Sequence, residues 1–334
     1  MPHILLTNDD GPPSSKSSPY VLDFVRALQA QGHIVSVCLP HTQRSWIGKA
    51  HIVGQSIKPS YYRPPPPSRD PKLQCDDGTT SNQPLPASSQ DEEWVLVDST
   101  PASCIQIGLY HYFKERGPVD LVISGPNYGR NTTAVFALSS GTLGGALEAA
   151  VCGKRAIAVS YAFFDRNHDP EIIGGASKAA VRVVEALYKQ WDDRVGVYTV
   201  NVPLLENAQD RKVVWTKMLQ NTWSSGSCFT EVAVPESEDA DAEEVEQEIR
   251  RSESMSGASK PVLNGAEEKL EAAKHLRYAH KHFMWTPKFK DVYDSVERAG
   301  PGNDGWAVKE GMISVTPLQA NFMHVPGFEG EVKL

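Results

Sequence analysis

The chain has 334 residues, enough for one large domain with extensions or two modest ones. Its net charge of −8 argues against a broad grip on duplex nucleic acid, so an anionic substrate would need a locally positive site. Five scattered cysteines with no C-x-x-C pair exclude a disulfide frame or a zinc site. No apolar run reaches membrane-spanning length, and a strand over residues 4–6 leaves no room for a signal peptide. A cytoplasmic chain with no membrane partner is therefore expected.

Residues 3–7 read as a strand ending in Asn8-Asp9-Asp10-Gly11. A loop follows, then Ser18 as N-cap and Pro19 as first residue of a helix whose apolar face is Val21, Phe24, Val25 and Leu28. Residues 34–39 form the next strand, and 64–93 have the composition of a surface loop. A strand over 94–98 precedes a helix opened by Thr100 and Pro101. The strand over 119–124 ends in Gly125-Pro126-Asn127. A small-residue helix over 141–152, a strand over 156–160, a helix opened by Asp169 and Pro170, and a strand over 196–202 complete the series. Strands alternating with helices predict an α/β fold, a doubly wound, Rossmann-like and mostly parallel sheet. Residues 1–203 are taken as the core. Residues 204–334 are taken as a β-rich extension, with strands over 213–218, 283–286 and 312–316, no regular helices between them, and no expected place in the parallel sheet. Residues 236–248 carry eight acidic side chains, and the stretch 235–275 reads as a disordered insertion.

In a doubly wound sheet, ligands sit at the carboxyl ends of the strands, which directs attention to three motifs. Asp9 and Asp10 are adjacent carboxylates whose repulsion a hard divalent cation relieves; a polar turn is the plainer alternative. Asn127 and Asn131 offer amide oxygens and nitrogens after the strand that ends at Ser124, in what could equally be a Gly-Pro-Asn turn. Ser140, Gly141 and Thr142 open a helix, where free N–H groups make an anion site or simply a capped helix start. No G-x-x-x-x-G-K-[ST] or G-x-G-x-x-G motif accompanies them, which disfavours a P-loop or dinucleotide enzyme. Cys38 and Arg44 stand at the C-x₅-R-S spacing of cysteine phosphatases, but in a loop without glycine at its centre.

As an ordered set, these motifs resemble the SurE family of survival-protein nucleotidases. The resemblance rests on Ile4-Leu5-Leu6-Thr7-Asn8-Asp9-Asp10-Gly11, Val97-Asp98-Ser99-Thr100-Pro101-Ala102, Asp120-Leu121-Val122-Ile123-Ser124-Gly125-Pro126-Asn127 and Ser140-Gly141-Thr142-Leu143-Gly144. Asn201-Val202-Pro203 and Ser314-Val315-Thr316-Pro317-Leu318 are later landmarks. It implies one divalent cation, Mg²⁺ or Mn²⁺, on Asp9, Asp10, Ser45 and Asn127, with phosphate held by Asn131 and Ser140-Gly141-Thr142. Asp9 would serve as general base or nucleophile, with Asn131 beside it. The implied reaction is phosphomonoester hydrolysis of nucleotides or similar small esters by a homodimer or tetramer. The C-terminal extension would mediate assembly, and the two long insertions suggest a eukaryotic, fungal-type branch. Gly48-Lys49 departs from the family's Gly-His, with His51 two positions on. Two other readings stand beside this one: a cysteine phosphatase on Cys38 and Arg44, and a nucleotide-binding domain without turnover.

Overall fold

Six short runs of apolar residues lie side by side as the parallel centre of one ten-stranded sheet. The computed structural model describes residues 2–66, 75–165, 168–232, 247 and 281–322. In chain order the strands are β1 (His3–Thr7), β2 (Ile34–Pro40), β3 (Pro59–Arg63), β4 (Thr79–Ser81), β5 (Trp94–Val97), β6 (Leu121–Tyr128), β7 (Arg155–Ala162), β8 (Val197–Pro203), β9 (Val213–Trp215), β10 (Phe229–Val232), β11 (His282–Trp285) and β12 (Ile313–Leu318). The helices are α1 (Val21–Ala30), α2 (Pro101–Tyr110), α3 (Thr133–Ser139), α4 (Gly141–Val151), α5 (Pro170–Lys189), α6 (Phe289–Ala299) and α7 (Asp304–Lys309). The sheet runs β4-β3-β5-β2-β1-β6-β7-β8-β12-β9, with β5 through β8 parallel. The chain winds outward in one direction from β1 to β2 and in the other from β6, so the switch point lies between β1 and β6.

Alternation along β1 shows how the core is divided. Ile4 and Leu6 face the cluster that includes Phe24 and Leu28 of α1 and Val181 and Val184 of α5. Leu5 faces the opposite cluster, with Cys104 and Ile105 of α2 and Leu143 and Ala146 of α4. A parallel sheet covered on both faces needs strands apolar on both sides, and β1 and β6 are buried along their whole lengths. Thr100 caps α2 by accepting from the Ser103 N–H, and Asp169 caps α5, each followed by proline as expected.

Several sequence expectations are corrected. α1 begins at Val21 rather than at Pro19, because Ser18 is spent elsewhere: its hydroxyl donates to the Gly11 carbonyl and accepts from the Asn8 amide. β6 does not stop at Ser124. It continues to Tyr128, with its register against β7 shifting between Ser124 and Asn127. β4 lies within the presumed loop 64–93. The C-terminal part is not purely β, since α6 and α7 separate β11 from β12. β12 pairs antiparallel with β8 and carries β9 beyond it, so both join the main sheet, although the parallel run ends at β8. β10 and β11 form a separate two-stranded arm. The acidic stretch 235–275 lies outside the described residues apart from position 247. Among the described residues, no single helix is long and apolar enough to cross a membrane.

Candidate active site at the switch point

β1 delivers Asp9 and Asp10 to the switch point, and both are almost fully buried, at 3% and 1% exposure. Their turn is fixed from within: the Gly11 N–H donates to Asn8 Oδ1 at 3.0 Å, and Asn8 Nδ2 donates back to the Gly11 carbonyl at 2.9 Å. The strand-end loops then orient each carboxylate. Thr142 Oγ1 donates to Asp9 Oδ1 at 2.5 Å, and the Tyr128 N–H donates to Asp10 Oδ2 at 2.6 Å. Tyr128 lies just past the shift in β6 register, and its N–H is directed at Asp10 while the next N–H, from Gly129, donates to Tyr161 of β7.

α4 starts directly against Asp9. A Cβ placed on Gly141 would lie 2.8 Å from the Asp9 Cβ and 3.0 Å from its Oδ2, so only glycine permits this approach. Ser140 spends its hydroxyl on capping, accepting from the Leu143 N–H at 3.1 Å. The first N–H groups of α4, from Gly141 and Thr142, have no carbonyl partner within the helix and belong to the helix start that abuts Asp9, where the helix dipole favours an anion.

Asn131 is nearly buried and held at both ends. Its backbone N–H donates to Asn201 Oδ1 at 2.8 Å and its side-chain amide to Ser160 Oγ at 2.9 Å. Asn127 donates its Nδ2 to the Gly129 carbonyl, and its Oδ1 accepts no hydrogen bond among the described residues. Ser45 sits half-buried in the loop after β2, between two anchors. The Arg44 N–H donates to the Asp9 carbonyl at 2.7 Å and the Gly48 N–H to the Ser139 carbonyl at 2.9 Å. The structure thus gathers Asp9, Asp10, Thr142, Gly141 and Asn127 closely, brings the Ser45 loop onto Asp9 by its backbone, and sets Asn131 on the neighbouring strand ends.

The donors at positions 9, 10, 45 and 127 are carboxylate, hydroxyl and amide oxygens, a set that suits a hard cation such as Mg²⁺. The unengaged Asn127 Oδ1 beside two buried carboxylates fits that chemistry. Among the described residues no group of three or more His, Cys, Asp or Glu side chains could hold a metal ion, so a cation here would draw on the Ser45 and Asn127 oxygens as well as the two carboxylates. The cysteine alternative fails on burial. Cys38 is fully buried in the core cluster with Leu5 and Cys104, and Arg44 is turned to Asp98 at 3.0 Å. Burial, followed by the adjacent Cys38 thiol, pushes the Cys104 thiol well up.

Sequence reading missed Ser160 and missed the supporting role of Asn201. Each is a polar residue near the carboxyl end of an apolar strand, two residues before its last, and that break in a buried run was the available signal. It also missed Asp304, which is fully buried at the start of α7. Asp304 accepts from the Thr133 N–H at 2.8 Å and the Leu219 N–H at 3.1 Å, tying the C-terminal helices to the loop that carries Asn131.

Comparison with known proteins places these features in a family. The family model described as "Survival protein SurE" matches residues 4–225. A Ruegeria pomeroyi protein named "5'-nucleotidase SurE" is 31% identical over 246 residues, covering 71% of this chain and 74% of that protein. A Saccharomyces cerevisiae protein named "Probable tubulin--tyrosine ligase PBY1" is 33% identical over 365 residues, covering 99% of this chain. The chain spans only 42% of the length of that yeast relative. The crystal structure of the SurE protein from Aquifex aeolicus shares the fold, with a TM-score of 0.59 at 22% identity over 96% of this chain and 95% of that one. With a family model covering most of its length and a nucleotidase relative matched over nearly three quarters of its own, the chain belongs to the SurE family.

Proposed function

We propose that the chain is a divalent-cation-dependent phosphoric monoester hydrolase acting on nucleoside monophosphates or related small esters. The observation that supports it most is the pair of buried, oriented carboxylates at the switch point with the start of α4 against Asp9. Asp9, Asp10, Ser45 and Asn127 would hold Mg²⁺ or Mn²⁺. Such a cation supplies neutralising charge for phosphoryl oxygens and Lewis acidity. The chain's own groups do the rest. The first N–H groups of α4 and the Asn131 amide hold the phosphate oxygens, and the Thr142 hydroxyl fixes the carboxylate of Asp9 as base or nucleophile. Phosphate release from 5′-AMP should need Mg²⁺ or Mn²⁺ and stop with chelator. Asp9→Asn and Asp10→Asn should each lower turnover by about a hundredfold or more while the fold survives. Full turnover in chelator, or near wild-type rates in both variants, would overturn the reading.

The same reading carries a homodimer or tetramer and a cytoplasmic location, supported by five cysteines that are all free thiols. It divides the chain into a catalytic core over 1–203 and an extension over 204–334. The ligase activity in the yeast relative's name is not carried over, since more than half of that protein lies outside the alignment.

A further inference from the structure

Asn131 leans on a residue whose own hydrogen bonds are incomplete. Asn201 accepts from the Asn131 N–H at 2.8 Å through Oδ1, since a donor cannot face a donor, and its Nδ2 is therefore directed the other way. That Nδ2 has no hydrogen-bond partner among the described residues, and neither have Thr199 Oγ1 and Ser314 Oγ. Thr199, Asn201 and Ser314 are all 0% exposed. Leaving one polar atom unmet at that depth is costly, and three together call for a shared partner.

The strand ladder brings the three together. Ser314 of β12 stands opposite Asn201 of β8, and Thr316 stands opposite Thr199. Positions 199 and 201 are two apart on one strand and share a face. It is the face turned from α5, since Val200, Val202, Ile313 and Val315 belong to the core cluster shared with α1 and α5. α7 packs over it. Thr316 is satisfied by the Thr216 hydroxyl at 2.7 Å, which leaves the other three. Opposed side chains in such a ladder stand about 5 Å apart at Cβ, and diagonal ones about 7–8 Å. One water spans those gaps, and a buried water typically makes about three hydrogen bonds. Resting on the phosphomonoesterase reading above, we propose that Ser314 and Thr199 are positioning residues for Asn131. With Asn201 they hold one buried water, which accepts from Asn201 Nδ2 and locks that amide with Oδ1 on the Asn131 N–H. Ser160 of β7 accepts from the Asn131 side chain at 2.9 Å, so the phosphate-side amide is set from two neighbouring strands.

The test measures kcat/KM for 5′-AMP with Mg²⁺ in wild type, Ser314→Ala, Thr199→Val and the double variant, beside a circular dichroism melt of each. Each single substitution removes one partner of the same water and should lower kcat/KM about tenfold, as a loosened Asn131 misplaces the phosphate. The double variant should lose no more than either single one, because the water is already gone. Unchanged kcat/KM in either single variant, even with a lowered Tm, would overturn the proposal, and so would losses that multiply. Amide exchange read by mass spectrometry is a second arm that does not depend on turnover. Ser314→Ala and Thr199→Val should each speed exchange in the segment holding the Asn131 N–H about tenfold. If wild type hydrolyses no ester with any divalent cation, the phosphatase reading fails, and that exchange alone decides. Faster exchange in both variants supports the water site; unchanged exchange in either overturns it.

Discussion

Gly141 and Thr142 act on Asp9 from the same helix start, one by making room and the other by donating a hydrogen bond. Gly141→Ala would push a methyl group against the Asp9 side chain and shift a reacting group by a few tenths of an ångström or more. Catalysis is that sensitive to position, and kcat should fall by about 10²-fold. Steady-state kinetics beside a circular dichroism melt would show lost turnover without lost fold. Asp9, Asp10, Asn127 and Asn131 were legible in the sequence because each comes just after a buried apolar run, Asn127 still within β6, and carries oxygen or amide chemistry. Ser45 was not legible from its residue type, since a loop serine carries no periodic signal, and it came only with the family resemblance. Cys38 looked like chemistry by spacing, and its burial shows that it is core.

The loop that carries Ser45 is latched at its far end. Glu148 of α4, whose side chain is 4% exposed, pairs with Lys49 at 2.6 Å, stands 3.5 Å from the His51 imidazole and accepts from Gln106 at 2.6 Å. Burial alone would push the Glu148 carboxyl up, but the bonds from Lys49 and Gln106 and the nearby positive charges outweigh it and hold it below its ordinary value of 4.5. A lowered folded pKa means the pairing stabilises the fold above pH 4.5, and that stability is lost as pH falls through the folded value. Glu148→Gln should therefore melt lower than wild type near neutral pH, with the two Tm values converging in acid. Parallel melts across that range would check it, and a constant difference would count against the latch. The parallel helices and strands were readable because their apolar periods are long and buried. α3 and α7 were not, at seven and six residues, and α6 has five charged residues in eleven, with Phe289 and Val292 as its buried apolar residues. The aromatic arm has the partner its composition calls for: Trp285 packs on Trp46, Trp223 and Phe229.

Across the molecule, the parallel run of the sheet was legible as far as β8, where alternation with helices ends, but the antiparallel edge of β3 and β4 was not, since 64–93 reads as loop. The return of β12 to β8 was not, because an antiparallel pairing over more than a hundred residues leaves no local trace. The arm still shows Phe229 at 54% and Phe283 at 59% exposure, with Met284 at 41%. Such side chains on a two-stranded arm suit a contact with a second copy. Sedimentation at micromolar concentration should give a dimer or tetramer, and Phe283→Asp should shift it toward monomer by placing a charge in an apolar contact. A wild-type chain that sediments as a monomer would refute the assembly. The Asp304 carboxylate reaches back 171 residues to the Thr133 N–H, joining a late stretch of chain to the loop beside the reacting groups. During synthesis at about 5–20 residues per second, that interval lasts roughly 10–30 s. Within it β7 and β8 complete the parallel centre of the sheet, and for about a hundred residues more the Asn131 loop still lacks its anchor. On the proposed function, hydrolytic competence would arrive late on the ribosome, and a fragment cut near residue 225, where the family match ends, would carry every proposed cation ligand yet hold its phosphate loop loosely.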